Sequence, residues 1–131
     1  MRTLLVVAGL GQIGLALASL AIPRALGWRA DTARLQPLTR NVFWTYAGYI
    51  WGTNVCFGLL SALAPEALLD GSLLARCVAA FICAYWGARV LIQLLFFGRV
   101  RPAGARFLLA EAVLLSLFVY LTVVYGTVAA R

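Results

Sequence analysis

Apolar residues in this chain fall into four long blocks, and most charged residues are confined to the gaps between them. A block such as Thr3 to Ile22, at 1.5 Å rise per residue in a helix, covers about 30 Å, the thickness of one bilayer core. The pattern predicts an all-α integral membrane protein, a single domain over residues 1–131 with transmembrane spans at 3–22, 41–63, 73–97 and 107–127. Pro23 closes the first block; Thr39 or Asn41 is placed to cap the second helix, and Asp70 or Ser72 the third. The third block is longer than one core requires, which implies tilt or a protruding turn. Short connections between consecutive spans give an antiparallel up-down four-helix bundle.

Composition agrees with the pattern. Of the 131 residues, 64% are hydrophobic and 11% charged, with a mean hydropathy of +0.96. A soluble domain carries about 25% charged residues, so this chain has too little polar surface to cover a globule in water. The net charge of +7 comes from eleven arginines against four acids, without lysine. Arg24, Arg29, Arg34 and Arg40 lie in the gap at 23–40, and Arg99, Arg101 and Arg106 in the gap at 98–106. By the positive-inside rule these two loops are cytoplasmic and both termini outside, as in a bacterial-type inner membrane. Arginines interleaved with membrane spans point to anionic lipid headgroups as partners, and not to nucleic acid. Trp28 and Leu35 among the arginines suggest an interfacial segment lying on the headgroups. A solvated basic loop that only sets topology is the alternative.

Little catalytic equipment is present. Histidine is absent, which removes the commonest general base and metal ligand. Cys56, Cys77 and Cys83 form no C-x-x-C pair and read as small membrane-buried hydrophobes. No metal and no cofactor is expected. Gly9-Leu-Gly11-Gln-Ile-Gly14 matches the dinucleotide fingerprint in letters, but its flanks stay apolar for a whole span and no βαβ unit surrounds it. Arg2, the apolar run and Ala16-Leu17-Ala18 resemble a signal peptide; the arginines that follow oppose export, so the segment is expected to stay as a helix. Gly14 with Ala18, and Gly48 with Gly52, form small-xxx-small pairs suited to close helix packing.

The chemistry that remains is polar and inside the membrane. Arg89 lies in the middle of the third span, where its charge costs about 2.5–3.5 kcal/mol on insertion scales and calls for a protein partner. Counting along the helices puts Arg89 about 5 Å and Glu111 about 9 Å to the cytoplasmic side of the midplane. Glu111 is the one acid within a span and so the expected counter-ion. Tyr46, Tyr49 and Gln93 fall at similar depth, Tyr85 shares a face with Arg89 and Gln93, and Asn54 lies near mid-depth. Together these residues predict a polar cluster that either pins helix register or binds a ligand.

The size, span number and Gly9-x-Gly11…Trp51-Gly52-Thr53-Asn54 resemble the small fluoride channels, but Phe81 to Phe97 lacks their Phe/Thr/Ser-rich break and the charge bias is unlike theirs. Small multidrug exporters, also similar in length, carry a key glutamate in the first span, where this chain has Gln12. Neither resemblance transfers a residue role. The leading expectation is a non-enzymatic accessory or assembly subunit of a membrane complex or homo-oligomer. The alternatives are a transporter or binder of a small anion or amphiphile at Arg89 and Glu111, or a membrane enzyme acting on lipids or isoprenoids.

Overall fold

A computed structural model describes residues 1–95 and 105–131, with side chains from 108 onward in the second segment. It is all-helical, with no strand among the described residues. Four long helices, α1 (Arg2–Ser19), α4 (Pro37–Leu63), α6 (Leu73–Leu95) and α7 (Ala105–Ala130), are joined by the short helices α2 (Ile22–Ala25), α3 (Trp28–Thr32) and α5 (Pro65–Leu69). Three segments are long and apolar enough to cross a membrane: Arg2–Ala25, Leu73–Leu95 and Leu108–Ala130. The fourth long helix, α4, is not among them, because Thr39, Arg40, Asn41, Tyr46, Tyr49, Thr53 and Asn54 dilute its apolar residues.

Prolines set several helix ends. Pro23 has no N–H to give the Ser19 carbonyl and its ring crowds that carbonyl, so α1 stops at Ser19, three residues before the expected end at 22. Pro37 takes the first turn of α4, where an N–H is not needed. That helix therefore starts four residues before the expected 41, and neither Thr39 nor Asn41 caps it; its N-cap is Gln36, without a side-chain bond. Pro65 drives Ala64 out of helical geometry and ends α4 at Leu63. Ser72 caps α6 as expected: its Oγ accepts the Ala75 N–H at 3.1 Å, while Asp70 Oδ1 accepts the Ser72 N–H at 2.8 Å. Hydrogen bonding from the Ser72 N–H, and secondarily from its side chain, holds the Asp70 carboxyl below its usual range. Gly71, at φ +79°, supplies the left-handed turn between α5 and α6. The expected third loop at 98–106 lies almost wholly outside the described residues, as do the last two positions of the third predicted span.

The long helices pair in two antiparallel sets. In the first, Gly9 of α1 meets Gly58 and Ala62 of α4, and the Trp51 indole donates to the Ala16 carbonyl at 2.8 Å. In the second, Cys83 of α6 donates to the Thr122 carbonyl of α7 at 3.3 Å, and Arg76 Nε reaches the Ala129 carbonyl at 3.4 Å. The two pairs join where α1 packs on α7 and where Phe57 of α4 meets Phe81 and Tyr85 of α6. Leu10, Leu17, Leu63, Leu73, Phe81 and Val123 face outward, a distribution suited to lipid.

Candidate functional site

Where the two pairs meet, each long helix contributes one polar side chain to a buried network. Gln12 from α1, Ser61 from α4, Trp86 from α6 and Tyr125 from α7 are all at most 2% exposed. The Trp86 indole can only donate, so it needs the amide oxygen: its N–H reaches Gln12 Oε1 at 3.0 Å. That choice directs Gln12 Nε2 to the Tyr125 hydroxyl at 2.7 Å and back to the Ala8 carbonyl at 3.2 Å. The Tyr125 hydroxyl in turn shares a close hydrogen bond with Ser61 Oγ. Every hydrogen of the glutamine amide is used, and the amide oxygen is held by the indole.

Arg89 joins this core from the side. Its guanidinium lies over the Phe118 ring, 5.0 Å from the centroid, and Phe118 stacks on Trp86 at 5.4 Å and 18°. Arg89 and Trp86 are three residues apart on α6, so both reach the same aromatic ring. A half-buried cation therefore touches a π face that also packs on the network's indole. Glu111 is half-buried on α7, seven residues before Phe118 and on the same face.

The other expected members of the cluster divide: Tyr85 and Asn54 meet each other, while Tyr46 and Tyr49 turn outward. Tyr85 donates to Asn54 Oδ1 at 2.7 Å and packs edge-on against Trp86 and Phe57, which ties α6 to α4. Gln93 is buried on α6. Tyr46 and Tyr49 are 63% and 71% exposed on the outer side of α4 and do not enter the cluster. Depth along the helix was the reason for grouping them with Arg89; rotation about the α4 axis turns them away.

The two named small-residue pairs are not used within the chain. A Cβ on Gly14, Gly48 or Gly52 would meet nothing within 4 Å, and Ala18 is exposed. Within the chain the close crossing is made by Gly9, where a Cβ would come within 2.6 Å of the Ala62 nitrogen and the Gly58 oxygen, and by Gly58, where it would come within 2.9 Å of the Gly9 oxygen. Gly58-x-x-x-Ala62 was the readable signal, a small pair like the two that were named.

At the arginine-rich end, α3 docks on α4. Trp28, Phe43 and Trp44 form a T-shaped aromatic trio with centroids 5.1–6.0 Å apart. The Trp44 indole donates to Thr32 Oγ1 at 3.2 Å, and that hydroxyl donates to the Trp28 carbonyl at 2.7 Å. No group of His, Cys, Asp or Glu that could hold a metal is gathered among the described residues. The chain matches no family model, no curated protein and no solved structure.

Proposed function

We propose that the protein is a non-enzymatic assembly subunit of a membrane complex, with α4 as a fourth transmembrane span and the α1–α4 pair presenting a helix-docking face to another membrane chain. One observation carries this reading: the Gly14/Ala18 and Gly48/Gly52 pairs stand open on the outside of the fold instead of being used within it. The Trp51–Ala16 bond puts both pairs at the same level of α1 and α4, since Ala16 lies between Gly14 and Ala18 and Trp51 between Gly48 and Gly52. Small residues let a neighbouring backbone come close enough for dispersion and Cα–H contacts, the main source of helix affinity in lipid. Exposed Tyr46 and Tyr49 flank Gly48 and add amphipathic contact area of the kind that anchors interfaces.

Gly48→Leu/Gly52→Leu tests it, since a Cβ at either position meets nothing within 4 Å in the free fold. Thermal stability of the purified chain is expected to stay unchanged. Co-purification of membrane partners after mild detergent extraction, or self-association, is expected to fall. Wild-type protein that elutes as a monomer and brings down no membrane protein would overturn the reading.

A further inference from the structure

The first basic loop and the start of α4 form an open depression of about 300 Å³ lined by Arg29, Thr32, Ala33, Arg40 and Trp44. This is at the small end of ligand sites, which span about 300–1,000 Å³. Arg29 and Thr32 lie three apart on one face of α3, with Ala33 at its C-terminal cap; Arg40 and Trp44 lie four apart on one face of α4. The two helices therefore each bring one arginine to a floor shared by Thr32, Ala33 and Trp44. The floor is already occupied in hydrogen bonding: the indole N–H goes to Thr32 Oγ1, and the threonine hydrogen goes to the Trp28 carbonyl. The donors that the lining still offers are guanidinium N–H groups, and no acid is part of it. A ligand here must be an acceptor with negative charge.

We propose that this depression binds the phosphate of an anionic phospholipid headgroup, clamped between Arg29 and Arg40. Arginine forks match two phosphate oxygens at once. The source of the phosphate follows from the surroundings. Trp28, Phe43 and Trp44 form an aromatic belt of the kind that sits at headgroup level, and Leu26, Leu35 and Leu38 beside it expose apolar surface for acyl chains. The site rests on the membrane placement of α4 proposed above, but not on the docking face at Gly48 and Gly52.

The test is native mass spectrometry of the full chain released from detergent, with phosphatidylglycerol or phosphatidylcholine added. Wild type is expected to retain phosphatidylglycerol in preference to phosphatidylcholine. Arg29→Gln/Arg40→Gln is expected to weaken that retention about thirtyfold, the size expected for two surface arginines on an anionic lipid. Arg24→Gln/Arg34→Gln removes equal charge from the same loop outside the depression and is expected to retain the lipid. Equal loss in both double variants would overturn the site in favour of diffuse charge attraction. Displacement of the lipid by millimolar inorganic phosphate would overturn the headgroup assignment. Arg29→Lys/Arg40→Lys guards against misfolding: it keeps the charge without the fork and is expected to fall between wild type and the glutamine pair. Retention of a partner subunit in the glutamine pair separates loss of this site from loss of the assembly role.

Discussion

Four side chains carry the polar core, and all but Ser61 make two or more contacts in it. Tyr125→Phe removes a hydroxyl that serves both Gln12 and Ser61, and leaves an amide hydrogen and a serine hydroxyl buried without it. A buried polar group stripped of its partner costs about 1–3 kcal/mol, although single interhelical bonds in membranes average nearer 0.6 kcal/mol. The larger range applies here, because one substitution orphans two groups in a site with no exposure. Gln12→Leu is expected to cost at least as much, since it also strands the Trp86 indole N–H. Loss of stability in both variants, followed by thermal unfolding in detergent, checks this; Ser61→Ala, which removes one bond at the edge of the network, is expected to be milder. Unchanged melting in Tyr125→Phe would mean that the network contributes nothing. Arg89 is a residue that the sequence alone marks as exceptional, and its contact with Phe118 makes it an extension of this core rather than a separate feature.

At the scale of elements, the α1–α4 crossing depends on backbone proximity. Gly9→Ala would place a Cβ within 2.6 Å of backbone atoms that cannot rotate aside, so the helices must separate. Overpacking of this kind costs about 1–3 kcal/mol, and the shift would pull Gln12, three residues further on α1, off Tyr125. Gly14→Ala, on the same helix, fills open space and is expected to leave the unfolding temperature unchanged or to raise it slightly through helix propensity. The two variants, compared side by side by thermal denaturation, separate internal packing from the outer face; equal effects would refute the crossing. The helix ends were largely legible in advance where a proline or a serine cap dictates them by local sterics, as at Pro65 and Ser72. Which glycine pair is used internally was not, because Gly14 with Ala18 and Gly58 with Ala62 share the same spacing and differ only in rotation about the axis.

For the whole molecule, the positive-inside rule turns the charge asymmetry into a predicted orientation. Seven of the eleven arginines flank two of the connections. The Arg2–Glu66 pair at 3.0 Å lies at the opposite end, is well exposed, and contributes little, about 0–1 kcal/mol. With the arginine-rich loops cytoplasmic, Ala67→Cys in α5 is expected to react with a membrane-impermeant maleimide applied to intact cells, and Gln36→Cys only after permeabilisation. Both positions are exposed in the fold, so accessibility differs through the membrane alone. Labelling of both from outside would refute the orientation and, with it, the placement of α4 as a span.

The sequence by itself determined that the chain is helical, that it has long segments apolar enough to cross a membrane, and where α4 stops and α6 starts. These properties depend on block length, mean hydropathy and local sterics, all of which are additive along the chain. The tertiary structure alone decided that Gln12, Ser61, Trp86 and Tyr125 form the core while Tyr46 and Tyr49 face outward. It also decided that Gly9 and Gly58 are spent inside while Gly14, Gly48 and Gly52 have open space beside them. Each of these depends on the rotation of a helix about its axis. In helices that are apolar nearly all round, no hydrophobic stripe fixes that angle in advance; the satisfaction of four buried polar groups does.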